Sequence, residues 1–164
     1  MKKNKLEDMK IEGIVVYLTG GASGLGEETA KALHAAGAKL SLADMNEEQG
    51  VALATKLGET SCMFSKVDVT NEEQVAASID ATVKKFGAVH AVVNCAGVAF
   101  PMMTLTSKGP VNSATFKKVV DINLHGTLYG SIHGAKYMAK QEKLNEFGER
   151  GVIINIASVA AFEG

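Results

Sequence analysis

Five short apolar runs, rich in β-branched residues, alternate along this chain with segments of helical periodicity. The runs cover residues 13–19, 39–43, 61–67, 89–94 and 151–157. Alternation at this spacing predicts βαβ units, and therefore an α/β fold whose parallel sheet carries helices on both faces. Crossovers between parallel strands are almost always right-handed, and the order expected for a doubly wound sheet of this kind is 3-2-1-4-5. A ligand crevice is then expected at the switch between the first and fourth strands.

Helix signals fill the segments between the runs, and they predict helices over residues 27–36, 46–57, 70–86 and 115–141. Asn46 is placed as an N-cap, and Gly58 ends the same helix. Thr70 and Glu73 have the spacing of a capping box, which predicts that the third helix opens at Thr70. Residues 99–113 lack periodicity and contain both prolines, so they are predicted to form a loop.

The composition is that of one globular domain of 164 residues, with residues 1–12 as a flexible extension. The first ten residues are basic but lack arginine, a poor match to a transit peptide. A net charge of −1 gives no reason to expect a nucleic-acid partner, and no apolar run approaches the ~20 residues of a membrane span. Cys62 and Cys95 are expected to be free, buried thiols in a reducing compartment. The four histidines lack metal-ligand spacing, so we expect no metal site.

A glycine-rich turn, TGGASGLG at residues 19–26, joins the first strand to the first helix. Such turns are common without a ligand, but a turn that follows a strand and opens a helix has the context of a dinucleotide site. Gly20 would permit the tight turn, Gly24 would let the backbone approach a pyrophosphate, and Gly26 would let the helix pack closely. The helix N-terminus would offer N–H groups and a positive dipole end to the phosphates.

Asp44 lies 20 residues after Gly24, at the end of the second predicted strand. A carboxylate there accepts hydrogen bonds from ribose hydroxyls and repels the additional phosphate of NADP. The next residue is Met45, not arginine, so the pattern favours NAD as the cofactor. A helix-capping aspartate is the alternative interpretation, and the two are compatible.

Four further motifs follow the predicted strands in order: Asp68-Val69, Asn94-Cys95-Ala96-Gly97, Asp121-Ile122-Asn123 within the last helix, and Ser158. With the T-G-x-x-x-G-x-G spacing of the turn, they resemble the short-chain dehydrogenase/reductase family over nearly all residues from Gly13 onward. The resemblance implies a Rossmann-type fold and the NAD-dependent oxidation of a secondary alcohol.

The resemblance also implies a role for each matching residue. Ser23 and Leu25 would contact the pyrophosphate, and Asp68 with Val69 would hold the adenine ring. Ser158 would bind the substrate oxygen, and Asn123 would hold a water molecule in a proton relay. The floor near the ribose and nicotinamide would be formed by Asn94, Cys95, Ala96 and Gly97.

Each of these residues also has a simpler interpretation. Asp68 could serve only as a turn residue ahead of Thr70, and Cys95 only as a small buried hydrophobic residue. Asn123, a poor residue for a helix interior, could serve packing alone. Ser158 by itself would be uninformative without its position after the fifth strand.

The family's general acid/base is a tyrosine four residues before a lysine, shortly beyond the position of Ser158. None of the tyrosines at positions 17, 129 and 137 has a lysine four residues on. Because alcohol oxidation needs a positioned base, these 164 residues are predicted to be inactive alone. The fold is also predicted to be incomplete on its C-terminal side, which leaves the fifth strand as an exposed apolar edge.

Within the family, the sequence is most similar to members that oxidise 3-hydroxyacyl-CoA thioesters or hydroxysteroids. This implies a small-molecule substrate, a homo-oligomer when complete, and an intracellular location in the mitochondrial matrix or cytoplasm. A non-catalytic NAD(H)-binding module or partner subunit is the alternative function. A sugar-nucleotide epimerase is disfavoured by the spacing of the glycines.

Overall fold

A five-stranded parallel sheet forms the centre of the molecule, with the order β3 (Cys62–Lys66), β2 (Lys39–Asp44), β1 (Val15–Thr19), β4 (Ala91–Asn94), β7 (Val152–Asn155). The computed structural model describes residues 10–107 and 109–163. The order confirms the predicted α/β class and the predicted reversal between the first and fourth strands. A separate, short antiparallel pair is formed by β5 (Leu105–Thr106) and β6 (Gly109–Pro110).

Helices cover both faces of the sheet, as predicted. They are α1 (Gly24–Ala35), α2 (Glu47–Leu57), α3 (Glu72–Phe86), α4 (Ser113–Val120), α5 (Gly126–Met138) and α6 (Ala160–Glu163), with a π-helical turn at Asp121–His125 between α4 and α5. In the part of the chain that the structure describes, none of these helices combines the length and hydrophobicity needed to cross a membrane.

Alternation along the strands divides the core into two layers. Val16 and Leu18 of β1 pack with α1 and α2 on one face of the sheet. Tyr17, between them in sequence, packs with α3 and α5 on the opposite face. Because successive side chains of a strand point to opposite faces, a strand buried on both sides is apolar throughout, and all five residues of β1 are buried.

The helix N-termini confirm one predicted cap and correct another. Asn46 caps α2 by accepting a hydrogen bond from the Gln49 N–H at 3.1 Å. The capping box predicted at Thr70 is wrong, since Asn71 caps α3 through the N–H of Gln74 at 3.0 Å. The hydroxyl of Thr70 instead donates to Asp68. Asparagine is at least as good an N-cap as threonine, and here Thr70 already has another partner.

The single helix predicted over residues 115–141 is wrong in its continuity. Helix α4 begins two residues earlier, where Asn112 caps it, and the π-helical turn interrupts the run before α5 ends at Met138. The predicted loop over residues 99–113 also contains the short β5–β6 pairing. Both departures depend on contacts between segments, which local periodicity does not report.

A row of glycines lets α5 lie close against β4. A Cβ atom built on Gly130 would lie 2.3 Å from Asn94 Oδ1, and one built on Gly134 would lie 2.3 Å from Val92 Cγ2. Gly126 makes a similar approach to Val69. Any larger residue would push the helix away from the sheet, so these positions fix its distance from β4.

Strand β7 is an edge of the sheet, as predicted. Val152, Ile153 and Ile154 are 36% to 45% exposed, although each is apolar. Of the predicted N-terminal extension, residues 1–9 lie outside the described part of the chain, and residues 10–12 are exposed. Gly13 is tied to the body of the fold by its N–H, which donates to Gly37 O at 2.9 Å.

Candidate functional site

A cleft of about 400 Å³ opens at the carboxyl ends of β1, β2, β3 and β4. It lies at the predicted switch point, where the chain leaves β1 in one direction and β4 in the other. Ten of the twelve residues predicted to bind the cofactor line it, all except Gly24 and Asn94. The lining residues are Gly20, Ser23, Leu25, Gly26, Ala43, Asp44, Met45, Val67, Asp68, Val69, Cys95, Ala96, Gly97, Val98 and Ile122.

The glycine-rich turn has a geometry that larger residues cannot adopt. Gly20 (φ 65°) approaches the strand-exit segment so closely that a Cβ would lie 2.7 Å from Ala96 N. A Cβ on Gly26 would lie 2.0 Å from Gly20 O, so the first turn of α1 rests on the turn itself. Gly24 (φ 53°) has the left-handed conformation that favours glycine, and a Cβ there would meet nothing within 4 Å. The turn therefore presents open backbone on one side and is tightly packed on the other.

The N-terminus of α1 differs from those of the next three helices. Asparagine side chains cap α2, α3 and α4, whereas Ser23, at the N-cap of α1, makes no capping hydrogen bond. The first backbone bond of α1 runs from Glu27 N–H to Ser23 O at 3.1 Å. The N–H groups of residues 24–26 precede that bond and have no partner within the helix. An anionic group can accept from these donors and interact favourably with the helix dipole.

Asp44 connects the end of β2 to the glycine-rich turn. Its Oδ2 accepts a hydrogen bond from Ala22 N–H at 3.0 Å, and its Oδ1 accepts one from Asn46 N–H at 2.9 Å. The alternative interpretation of Asp44 as a helix cap is wrong, because Asn46 is the N-cap of α2. Among the described residues that line the cleft, none is lysine or arginine.

Asp68 and Val69 form the wall beyond β3. Asp68 Oδ1 accepts from both the N–H and the hydroxyl of Thr70, at 2.9 and 2.8 Å. The turn role considered for Asp68 is therefore present, together with its position in the cleft. Val69 is 7% exposed and packs in the core layer beneath α3 and α5.

The segment that follows β4 forms the floor of the cleft. Ala96 N–H donates to Thr19 Oγ1 at 3.2 Å, which ties the floor to the end of β1. The side-chain amide of Asn123 makes two hydrogen bonds to the backbone of Val98. Its Oδ1 accepts from Val98 N–H at 2.9 Å, and its Nδ2 donates to Val98 O at 2.8 Å. Cys95 is half-buried, and burial raises the pKa of its thiol. Cys62 and Cys95 are both free, as predicted, but only Cys62 is buried.

Four predicted residues do not line the cleft, namely Gly24, Asn94, Asn123 and Ser158. Asn94 is 3% exposed and points toward α5, where its Nδ2 donates to Thr127 O at 3.3 Å and to Asn155 Oδ1 at 2.9 Å. Gly24 shapes the turn without lining the cleft. Ser158 is exposed beyond β7, and its hydroxyl accepts from Ala160 N–H at 3.2 Å at the start of α6.

Three lining residues, Ala43, Val67 and Val98, belong to no predicted motif, and Ile122 belongs to one but was given no role. Ala43 and Val67 adjoin predicted site residues at strand ends, a position that indicates the same edge of the sheet. Ile122 reaches the cleft from the π-helical turn, which the sequence did not predict. Met45 was given no binding role by the sequence, yet it lines the cleft and is 64% exposed.

The tyrosines have environments unlike that of a general base. Tyr17 is fully buried beside Ser78, with 2.6 Å between the two hydroxyl oxygens, and burial raises its pKa to about 12. Tyr137 donates a hydrogen bond to Asp80 at 2.6 Å, which raises its pKa. Tyr129 packs against the core layer beneath α3 and α5. In the described residues, no group of His, Cys, Asp and Glu side chains could hold a metal ion.

The profile of the short chain dehydrogenase family matches residues 14–164, so the chain belongs to that family. Among curated relatives, it is 43% identical to human 3-hydroxyacyl-CoA dehydrogenase type-2 over 156 residues, and 42% identical to the rat protein. A solved structure of 3-hydroxyacyl-CoA dehydrogenase type-2 from Mycobacterium avium superposes with a TM-score of 0.85 at 35% identity, covering 93% of this chain and 58% of that one.

The alignment with the human relative covers 94% of this chain and 59% of the relative. A short-chain dehydrogenase/reductase from Mycobacterium ulcerans gives a similar result, with a TM-score of 0.81 at 28% identity and 54% of its length covered. The chain thus spans about three fifths of the length of the curated relatives it matches.

Proposed function

We propose that this chain is the NAD-binding part of a short-chain dehydrogenase that oxidises a secondary alcohol. The observation that carries the proposal is the cleft, bounded by the uncapped N-terminus of α1 on one side and Asp44 on another. The N–H groups at residues 24–26 would hold the pyrophosphate, and Asp44 the adenosine ribose. Asp68 and Val69 would flank the adenine, while Cys95, Ala96 and Gly97 would lie beneath the second ribose and the nicotinamide.

Charge in the cleft favours NAD over NADP. Asp44 and Asp68 supply carboxylates, and the described lining has no cationic side chain to receive a 2′-phosphate. Two negative groups in a half-enclosed space repel each other more strongly than in bulk water. We therefore expect NADPH to bind at least tenfold more weakly than NADH.

The chemistry proposed for the site needs more than these residues. Bound nicotinamide would supply the acceptor for a hydride from the alcohol carbon. Ser158 would hydrogen-bond the substrate oxygen, and Asn123 would hold the floor of the cleft and a relay water. A base for the hydroxyl proton is still required, and the 164 residues contain no Tyr-x-x-x-Lys. The chain alone is therefore proposed to bind NAD without oxidising alcohols.

The substrate proposal rests on the relatives that the chain resembles. Proteins named 3-hydroxyacyl-CoA dehydrogenase type-2 are similar to it over almost its whole length. We propose a 3-hydroxyacyl-CoA or hydroxysteroid alcohol as the substrate of the complete enzyme, in the mitochondrial matrix or the cytoplasm. The second candidate is an NAD(H)-binding module or partner subunit without catalysis, which the lack of a Tyr-x-x-x-Lys favours for this chain alone.

An apolar stripe along α4, the π-helical turn and α5 supports the proposed self-association. Phe116, Leu124, Leu128 and Ile132 lie at four- or eight-residue spacing and are 43% to 61% exposed. Exposed apolar side chains that share one helical face are typical of surfaces that pack against another helix. We propose that this stripe meets its equivalent in a second copy of the protein.

Titration of the purified chain with NADH and NADPH tests the binding proposal. Gly24→Ala and Gly58→Ala form a matched pair, since both glycines have positive φ values (53° and 94°) but only Gly24 belongs to the turn. NADH affinity is expected to fall about tenfold or more in Gly24→Ala and to stay unchanged in Gly58→Ala. Equal loss in both variants, or no binding by the wild type, would reject the site.

Sequencing the coding DNA past codon 164 separates the two candidate functions. An in-frame Tyr-x-x-x-Lys shortly downstream supports the dehydrogenase, and its activity can then be assayed in the whole protein. A stop codon directly after Gly164 supports the non-catalytic binding module.

A further inference from the structure

Both carboxylate oxygens of Asp44 accept hydrogen bonds from backbone N–H groups of the chain itself. Oδ2 accepts from Ala22 N–H at 3.0 Å and Oδ1 from Asn46 N–H at 2.9 Å. Ala22 is 3% exposed, so water has little access to its N–H. A buried donor left without a partner is costly, which makes this bond a constraint on the conformation of the turn.

Ala22 stands between two other fixed points of the glycine-rich turn. At the start, Gly20 N–H donates to Ala43 O at 2.8 Å. At the end, Gly24 takes φ 53° and begins α1. The bond to Asp44 is a side-chain contact to the middle of the turn, two residues before the first residue of α1.

We infer that Asp44 is a positioning residue for the pyrophosphate-binding turn as well as a ligand for ribose. The inference rests on the proposed function of the cleft. A carboxylate oxygen has two acceptor sites, so each oxygen can keep its backbone partner and still accept one ribose hydroxyl. Removing the carboxylate should therefore weaken the binding of diphosphates that have no ribose hydroxyls at all.

Two probes separate the roles: ADP, and 2′,3′-dideoxy-ADP, which keeps the adenine and diphosphate but lacks both ribose hydroxyls. Asp44→Ala and Asp44→Asn remove the same negative charge, but only asparagine keeps an oxygen that can accept from Ala22 N–H. If Asp44 acted through ribose alone, losing its charge would leave dideoxy-ADP binding unchanged or make it tighter, because like charges repel.

We expect dideoxy-ADP to bind Asp44→Ala about five- to tenfold more weakly than Asp44→Asn, the effect of one hydrogen bond to a buried donor. Hydrogen exchange at the Ala22 amide should be faster in Asp44→Ala than in Asp44→Asn. Asn46→Ala is the control: it removes the α2 cap without touching Ala22, and should leave dideoxy-ADP affinity unchanged. If Asp44→Ala does not fold, Asp44→Ser replaces it. The serine hydroxyl lies one atom closer to the backbone than the aspartate oxygens, and so is not expected to reach Ala22 N–H.

The possible results separate the failure of the positioning role from the failure of the proposed function. A wild-type chain that binds neither NADH nor ADP overturns the proposed function and the inference with it. A wild-type chain that binds ADP, with equal dideoxy-ADP affinity in Asp44→Ala and Asp44→Asn, overturns the positioning role alone. Weaker binding in Asp44→Ala, recovered in Asp44→Asn, supports it.

Discussion

Gly26 rests on the carbonyl oxygen of Gly20, so closely that a Cβ at position 26 would lie 2.0 Å from that oxygen. The obstacle is backbone, which cannot rotate away as the end of a side chain can. The same carbonyl belongs to Gly20, which has a φ of 65° and where a Cβ would lie 2.7 Å from Ala96 N. The start of α1, the turn and the floor of the cleft are therefore packed together with no room for a side chain at position 20 or 26.

Gly26→Ala is expected to destabilise the fold by about 1–3 kcal/mol, the usual cost of forcing an extra methyl group into a packed site. Urea denaturation measures the change. Gly97→Ala is the matched control, because its Cβ would lie 3.5 Å from the nearest atom, Asn123 Oδ1, an ordinary contact. The free energy of unfolding should change by no more than about 0.5 kcal/mol in Gly97→Ala. Similar losses in both variants would contradict the packing argument.

The contact between Gly130 and Asn94 predicts a coupling between two substitutions. Gly130→Ala places a methyl group 2.3 Å from Asn94 Oδ1, an oxygen that is buried without a hydrogen-bond partner in the described structure. Asn94→Ala removes that oxygen and makes room for the methyl group. The double variant should therefore lose less stability than the sum of the single variants, by about 1–2 kcal/mol.

Gly126→Ala provides the control for this cycle, because its Cβ would meet Val69 and not Asn94. Combined with Asn94→Ala, it should give losses that add to within about 0.5 kcal/mol. Additivity in the Gly130 cycle as well would show that the close approach does not limit packing.

Strands, strand order and the glycine-rich turn could be predicted because their signals are local. Apolar runs, glycine positions and the spacing from Gly24 to Asp44 each need only a short stretch of sequence. The placement of Asn94 in the cleft floor is wrong, because its neighbours Val93 and Cys95 pack with one core layer and its own side chain faces the other. The prediction for Asn94 followed its motif and did not take account of this alternation.

The remaining features depend on contacts between distant segments. The π-helical turn coincides with Asn123, whose amide pairs with the backbone of Val98, 25 residues earlier. No periodicity within residues 113–138 reports that pairing. Ile122 reaches the cleft from the same turn, so its role could not be predicted either. The roles proposed for Ser158 and Asn123 in catalysis stay predictions.

His90 makes the fold sensitive to acid. Its Nδ1 accepts a hydrogen bond from Val15 N–H at 3.0 Å, and burial lowers its pKa below the ordinary value of about 6.5. A group whose pKa is lowered on folding binds more protons when unfolded, so stability falls as pH drops below about 6.5. The loss ends once the pH is below the lowered pKa of the folded state.

His90→Asn tests this account, since the asparagine Oδ1 can accept from Val15 N–H and does not titrate. The urea midpoint of the wild type should fall between pH 7 and pH 5 by more than that of His90→Asn. The pH dependence is the relevant readout, because the substitution also changes packing. Identical pH dependence in the two proteins would exclude His90 as the cause.

The two cysteines should differ in reactivity and in their response to the cofactor. Cys62 is 1% exposed, and burial raises the pKa of its thiol to about 11, although Lys85 acts in the opposite direction. Cys95 is half-buried and lines the cleft. Since the thiolate is the reactive form and needs access to the reagent, a thiol reagent at pH 8 should modify Cys95 first and Cys62 only on unfolding.

Saturating NADH should slow the modification of Cys95, because the proposed site covers it. The Cys95→Ser variant should lack the fast phase of the reaction, which assigns that phase to Cys95. If NADH binds by an independent measurement but the rate of Cys95 modification does not change, the cofactor binds elsewhere.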